Sequence, residues 1–171
     1  LLGIFLPALT KTIIHNEDHN FLKDRIKHYS TVIVGNYYET IETKETLSNA
    51  DKIYLKHGVK GIRHEALEGL ELIFSVPSHS DLLVEDRYHE YLIHIMSKLN
   101  DTTIIHRTNY ETLQQVHTDM KTIIKNGGYM KNKEEVHSLS EEYKKQCISP
   151  GGSADMLVVK IIYEELKYLL R

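Results

Sequence analysis

The chain has 171 residues, of which 41% are hydrophobic and 26% charged, and its formal net charge is −3 at pH 7. This length allows one sizeable core, which predicts a single domain over residues 1–171. Lysine and arginine are scattered rather than clustered, which argues against a nucleic-acid partner. No apolar run reaches the roughly 20 residues that cross a bilayer, which argues against a membrane span. The single cysteine, Cys147, excludes an internal disulfide and indicates a cytoplasmic protein in which it is a small core residue.

The N-terminal third contains two segments that look helical, residues 1–14 and 21–29. Residues 31–34 form a β-branched run typical of a strand, but a single strand without a partner would be unstable, so we interpret this run as helix or buried turn. His15 and His19 are four apart, on one possible helix face, yet their surroundings fit none of the common zinc motifs. An unrelated helical hydrolase with a histidine metal site is therefore the least supported function.

Apolar residues at three-and-four spacing predict two helices in the middle of the chain. The first contains Leu67, Leu70, Ile73 and Phe74 and ends before Pro77. The second contains Tyr88, Tyr91, Leu92, Ile95, Met96 and Leu99, and Asp86 or Asp81 is expected to cap it.

The same spacing predicts three helices in the last third. The first runs from Tyr110 to Ile124 and stops at Asn126, Gly127 and Gly128. The next contains Val136, Leu139, Tyr143 and Cys147, opened by a capping box of Asn132 and Glu135. The last begins near Ala154 with Ser153 as its N-cap. Strands and helices do not alternate, so the sequence predicts an all-α, compact multi-helix bundle.

A glycine-rich turn, Ser149-Pro150-Gly151-Gly152-Ser153-Ala154-Asp155, carries the strongest local signal. The two glycines lead straight into a helix, so unpaired N–H groups and the positive end of the helix dipole would face outward and bind phosphate. The alternative is an ordinary Pro-Gly turn with a serine cap.

Two further polar stretches carry candidate site residues. In residues 100–107, Asp101 is a cap or a metal ligand, while His106 and Arg107 protonate a leaving group or clamp a phosphate. The alternative is a plain helix connection, with Asp101 as N-cap and Arg107 in solvent. In residues 58–65, Arg63 can meet a phosphate and Glu65 can hold Mg²⁺ or accept a proton, unless both are surface charges.

Taken together and in this order, the three stretches resemble the C-terminal part of the triphosphoribosyl-dephospho-CoA synthase family. That family carries Gly-x-Arg-Gly-Glu-Ala, then Asp-Thr-Asn followed by His-Arg-Gly-Gly, and finally Ser-Pro-Gly-Gly-Ser-Ala-Asp. The last motif matches throughout. The first has His64 in place of Gly, and the middle one has Thr103, Thr108 and Asn109 in place of Asn and the Gly pair. The family's earlier motifs are absent, so the resemblance implies an additional N-terminal segment.

The resemblance implies a transferase that forms triphosphoribosyl-dephospho-CoA and adenine from ATP and 3'-dephospho-CoA, ordinarily with Mg²⁺. The product would serve the acyl carrier protein of citrate lyase or malonate decarboxylase. On this hypothesis the catalytic residues are Asp101, His106 and Asp155, and the metal ligands are Glu65, Asp101 and Asp155. The substrate and phosphate contacts come from Arg63, Arg107, Ser149, Gly151, Gly152 and Ser153. The alternative is a truncated, non-catalytic remnant that binds a nucleotide or a carrier protein.

Overall fold

The computed structural model describes residues 1–170, and within that range every regular element is helical. The ten α-helices are α1 (Leu2–Ile14), α2 (His19–Val34), α3 (Asn49–His57), α4 (Gly61–Leu67), α5 (Glu71–Ser75), α6 (Val84–Met96), α7 (Thr102–Arg107), α8 (Tyr110–Lys125), α9 (Lys133–Lys145) and α10 (Gly151–Leu166). Short 3₁₀ turns occupy Ile41–Thr43, Tyr129–Lys131 and Lys167–Leu169. The predicted all-α fold is confirmed, and residues 31–34 belong to α2.

The apolar side chains form two hydrophobic clusters that share helix α6. One cluster joins α1, α2, α5, α6 and α10 through residues that include Phe5, Leu22, Ile73, Tyr91, Ile95 and Met156. The other joins α3, α6, α7 and α8 through Ile53, Ile93, Met96, Ile104, Leu113, Val116 and Met120. Each fully buried side chain of this size contributes about 2 kcal/mol. Helix α6 therefore supplies residues to both clusters from different faces.

Side-chain caps decide where several helices begin. Asp18 accepts hydrogen bonds from the backbone at the start of α2, and Ser48 and Asp51 form a capping box at α3. Asn109 accepts from Thr112 N at 2.8 Å at the start of α8. The predicted stop of α8 is confirmed, because the helix ends before Gly127 and Gly128. None of the helices of residues 1–170 is both long and apolar enough to cross a membrane.

Several predictions of helix limits were wrong. The helix expected to include Leu67 and Leu70 is two helices, because Leu70 adopts a left-handed φ of +59° between α4 and α5. Helix α6 begins after Leu83 without a side-chain cap, so neither Asp81 nor Asp86 caps it.

Two predictions in the last third also fail. At α9, the Asn132 side chain donates to the carbonyl of Gly128 at 2.6 Å, which precludes the expected capping box with Glu135. Cys147 lies after the end of α9 and is exposed rather than part of a core.

Candidate functional site

The three polar stretches predicted from the sequence meet at one place, where the first residues of α4, α7 and α10 touch. A β-carbon on Gly61 would lie 2.9 Å from Cγ2 of Thr102, and Gly61 also has a φ of +62°. A β-carbon on Gly152 would lie 3.0 Å from a carboxylate oxygen of Asp101 and 3.1 Å from Cγ2 of Ile62. Glycine is required at both positions because a side chain would separate the helices.

Asp101 holds this junction together. Its carboxylate caps α7 by accepting from Thr103 N at 2.9 Å, and it also accepts from Gly152 N at 3.2 Å and Ser153 N at 2.8 Å. The Ser153 hydroxyl donates a fourth hydrogen bond at 2.9 Å. Asp101 is 1% exposed, so these donors satisfy a carboxylate that water does not reach. One side chain thus joins the starts of two helices that are some fifty residues apart in the sequence.

This arrangement overturns the premise that the first N–H groups of α10 are unpaired. Gly152 N and Ser153 N donate to Asp101, Gly151 N donates to the Ser149 carbonyl, and Ala154 N donates to the Pro150 carbonyl. Helix α10 begins at Gly151 rather than near Ala154, and Ser153 lies inside it instead of capping it. The anion at this helix start is a protein carboxylate.

Helix α7 carries this junction at its start and His106 in its last turn. His106 lines an open cavity of about 420 Å³ between α3, α7 and the start of α8. Lys52 and Lys56, one turn apart on α3, line the same cavity, and His57 stacks on Tyr110 at its edge with ring centroids 5.2 Å apart. The Asn49 amide nitrogen lies 2.9 Å from Nε2 of His106. When that amide donates, the proton of the neutral ring lies on Nδ1.

The remaining predicted residues lie around the junction but point in different directions. Arg107 is exposed at the end of α7, and Asp155 is exposed in the first turn of α10. The Arg63 guanidinium lies over the Tyr37 ring, 4.4 Å from its centroid. Glu65 lines a separate groove with Glu68, Glu71 and Lys98, and its burial raises the pKa of its carboxyl group.

The carboxylates predicted as metal ligands do not gather into one cluster. Within residues 1–170, the single group of three close ligand side chains is His79, Glu90 and His94, which excludes Glu65, Asp101 and Asp155. The predicted pairing of His15 and His19 on one helix face is wrong, because His15 follows α1 and His19 begins α2.

Sequence reasoning missed the residues that α3 contributes to the cavity, namely Asn49, Lys52, Lys56 and His57. A signal was present, because Ser48 and Asp51 have the spacing of a capping box and the two lysines are four apart just after it. The missing information was tertiary, since α3 must pack on α7 before these side chains can face His106.

The sequence of residues 7–171 matches the family described as CitG, ATP:dephospho-CoA triphosphoribosyl transferase. The chain belongs to this family. As a CitG member it is 39% identical over 131 residues to a probable 2-(5''-triphosphoribosyl)-3'-dephosphocoenzyme-A synthase of Malonomonas rubra, a match that covers 71% of the chain and 41% of the relative.

Two further relatives of this CitG member have corresponding names. A probable synthase of Streptococcus mutans serotype c is 26% identical, with 97% of the chain and 56% of the relative covered. The synthase of Haemophilus ducreyi is 28% identical, and the match covers 86% of the chain and 44% of the relative. The chain spans about half the length of the curated relatives it matches. No solved structure matches it.

Proposed function

We propose that this chain is part of a cytoplasmic transferase that forms triphosphoribosyl-dephospho-CoA and adenine from ATP and 3'-dephospho-CoA. The observation that carries the proposal is the geometry of α7, whose first residues are fixed by Asp101 while its last turn brings His106 beside Lys52 and Lys56. Family membership supports the choice of reaction. The product serves as precursor of the prosthetic group of citrate lyase or malonate decarboxylase acyl carrier protein.

In the proposed reaction, a ribose hydroxyl of dephospho-CoA attacks the anomeric carbon of the ATP ribose. A new C–O bond forms, the bond from that carbon to adenine breaks, and the triphosphate stays on the transferred sugar. The hydroxyl proton must leave and adenine must gain one, so the site needs a base and an acid. We assign the acid to His106, whose ring in its protonated form would donate to the departing adenine from its place at the cavity, while the proton of the attacking hydroxyl passes to water.

The triphosphate requires positive charge close to the reacting carbon. Lys52 and Lys56 supply it from one face of α3, and both are exposed at the cavity, where they can reach a phosphate without first losing a partner. Arg107 follows His106 directly in the sequence and is exposed at the end of α7, so we assign it to the edge of the phosphate site. Arg63 lies over Tyr37, and we assign it to the edge of the phosphate site.

The chemistry of the side chains fits Mg²⁺ bound mainly through the triphosphate. Magnesium usually takes one or two carboxylates together with substrate phosphates, and it would neutralise charge on the phosphate oxygens. Asp155 is exposed and meets this need, whereas the Asp101 oxygens already accept four hydrogen bonds. We therefore assign Asp155 to the metal and Asp101 to positioning of α7 and α10. Glu65 lies in another groove and remains a weaker candidate.

The direct test is adenine release, measured by chromatography, from the purified chain with ATP, Mg²⁺ and dephospho-CoA. The relatives are about twice as long, so the assay is repeated with the part of a CitG relative that this chain does not cover supplied separately. Adenine in either assay supports the proposal. Nucleotide binding without adenine in both assays would overturn it in favour of a non-catalytic protein.

We expect His106→Gln to lower turnover about 100-fold in the assay that shows activity, because general acid catalysis contributes roughly that much. Lys52→Ala and Lys56→Ala should instead raise the KM for ATP. Asp155→Asn should abolish most turnover and weaken the dependence on Mg²⁺. The control is His137→Gln, an exposed histidine on α9 outside this cavity. If His106→Gln retains full turnover, another group is the acid.

A further inference from the structure

A second cluster of polar side chains lies away from the proposed transfer site, where the segment between α5 and α6 folds against α6. Glu90 and His94 are one turn apart on α6, and His79 comes from the preceding segment. One ligand atom from each of the three lies within 4.8 Å of the other two. Their spacing along the sequence follows no common zinc motif, so only the fold brings them together.

Two members of this cluster lack a partner that a cation would supply. Glu90 is 4% exposed and accepts a hydrogen bond from the backbone N–H of Met130 at 3.3 Å. None of the ion pairs formed within residues 1–170 includes Glu90. Burying a charged carboxylate without a positive partner lowers the free energy of unfolding. Nε2 of His79 is also buried without a hydrogen-bond partner.

His94 completes the cluster from helix α6. Its half-buried side chain lies one turn after Glu90. The His79 and His94 rings are tilted by 31° to each other with centroids 5.9 Å apart, so the two imidazoles are close neighbours.

Gly128 closes the cluster from the side of the Tyr129–Lys131 turn. A β-carbon on Gly128 would lie 2.6 Å from Oε1 and 2.7 Å from Oε2 of Glu90. Both carboxylate oxygens therefore lie against this turn, where Met130 N donates to Oε1 at 3.3 Å. A side chain at position 128 would displace the carboxylate from this place.

We propose that His79, Glu90 and His94 bind one Zn²⁺ ion. Two imidazole nitrogens and one carboxylate are a ligand set typical of zinc with a fourth position open to water. Ligand atoms about 2.1 Å from the ion lie roughly 3.4 Å from one another in a tetrahedron, so the ligand atoms, now within 4.8 Å of one another, close in by up to about 1.4 Å on binding. The ion ties the segment before α6 to the helix that both hydrophobic clusters share.

The test uses the untagged chain after treatment with a chelator. We expect it to take up one equivalent of Zn²⁺ by mass spectrometry of the metal content, to melt at a higher temperature with zinc present, and to show tetrahedral Co²⁺ bands when loaded with cobalt. His79→Ala, His94→Ala and Glu90→Gln should each weaken zinc affinity about 100-fold or more. Mg²⁺ should not compete.

The matched control is His15→Ala, which removes an exposed histidine outside the cluster and should leave zinc binding unchanged. Circular dichroism establishes that each variant is folded before its affinity is measured. Zinc uptake below one equivalent in the unmodified chain would overturn the proposal, as would variants that bind zinc as tightly as the unmodified chain. The readouts do not involve adenine release, so they are independent of the proposed transferase activity.

Discussion

Replacing Asp101 by alanine is expected to lower the free energy of unfolding by about 4 kcal/mol. The change removes the acceptor for Thr103 N, Gly152 N, Ser153 N and the Ser153 hydroxyl at once. Gly152 and Ser153 are buried, so water cannot readily replace the lost acceptor, and each orphaned buried donor costs about 1–3 kcal/mol. Urea denaturation followed by circular dichroism measures the effect.

The control for this prediction is Asp155→Ala, two residues beyond the donors that Asp101 satisfies. Asp155 is exposed, so its loss should change the free energy of unfolding by no more than about 0.5 kcal/mol, even though the same residue is proposed to act in catalysis. Equal stabilities for Asp101→Ala and the unmodified chain would show that the starts of α7 and α10 are held together by something other than this carboxylate.

Replacing Glu164 by glutamine is expected to cost about 3 kcal/mol, since it leaves a buried ammonium without its counter-charge. Nζ of Lys160 donates to Glu164 at 2.7 Å and to the Val76 carbonyl at 2.8 Å, and the two side chains are 2% and 5% exposed. Burial lowers the pKa of Lys160, and Glu164 opposes this effect. In the Glu164→Gln variant the lysine can therefore lose its proton, which reduces the loss of stability. Thermal and urea denaturation should agree on the loss.

The effect should depend on pH in a defined direction. Burial alone would raise the pKa of Glu164, but hydrogen bonds from Lys160, Lys167 and Ser78 outweigh it and lower the pKa to about 2 from an ordinary value of 4.5. A lowered folded-state pKa stabilises the protein fully above pH 4.5, and this stabilisation disappears as the pH falls toward 2. The difference between the unmodified chain and Glu164→Gln should therefore shrink over that range.

Glu165→Gln is the matched control, because the neighbouring carboxylate is 57% exposed and lies 3.6 Å from Arg87. Exposed pairs of this kind contribute at most about 1 kcal/mol, so the variant should unfold nearly as the unmodified chain does. A loss as large as that of Glu164→Gln would mean that burial of the pair is not what makes Glu164 important.

The helical class and the stop of α8 could be predicted because they depend on local periodicity and turn residues. The start of α10 could not, because its donors are satisfied by a carboxylate from a distant stretch, so Ser153 was mistaken for a cap. Cys147 was mistaken for a core residue because it continues the helical spacing of Leu139 and Tyr143, although α9 ends at Lys145. The three motif stretches meet at the starts of their helices, where Gly61 lies against Thr102 and Gly152 against Asp101. The contributions of α3 to the cavity depend on packing that no local pattern encodes.

Helix α6 determines how the chain unfolds, because it belongs to both hydrophobic clusters. Since Ile93 and Met96 complete one cluster while Tyr91 and Ile95 complete the other, neither cluster can lose α6 and survive. The chain should therefore melt in a single cooperative step, with the slowest amide hydrogen exchange in α6. A protease that cuts within this helix should disrupt the packing of both clusters, so neither half of the bundle should persist as a folded fragment.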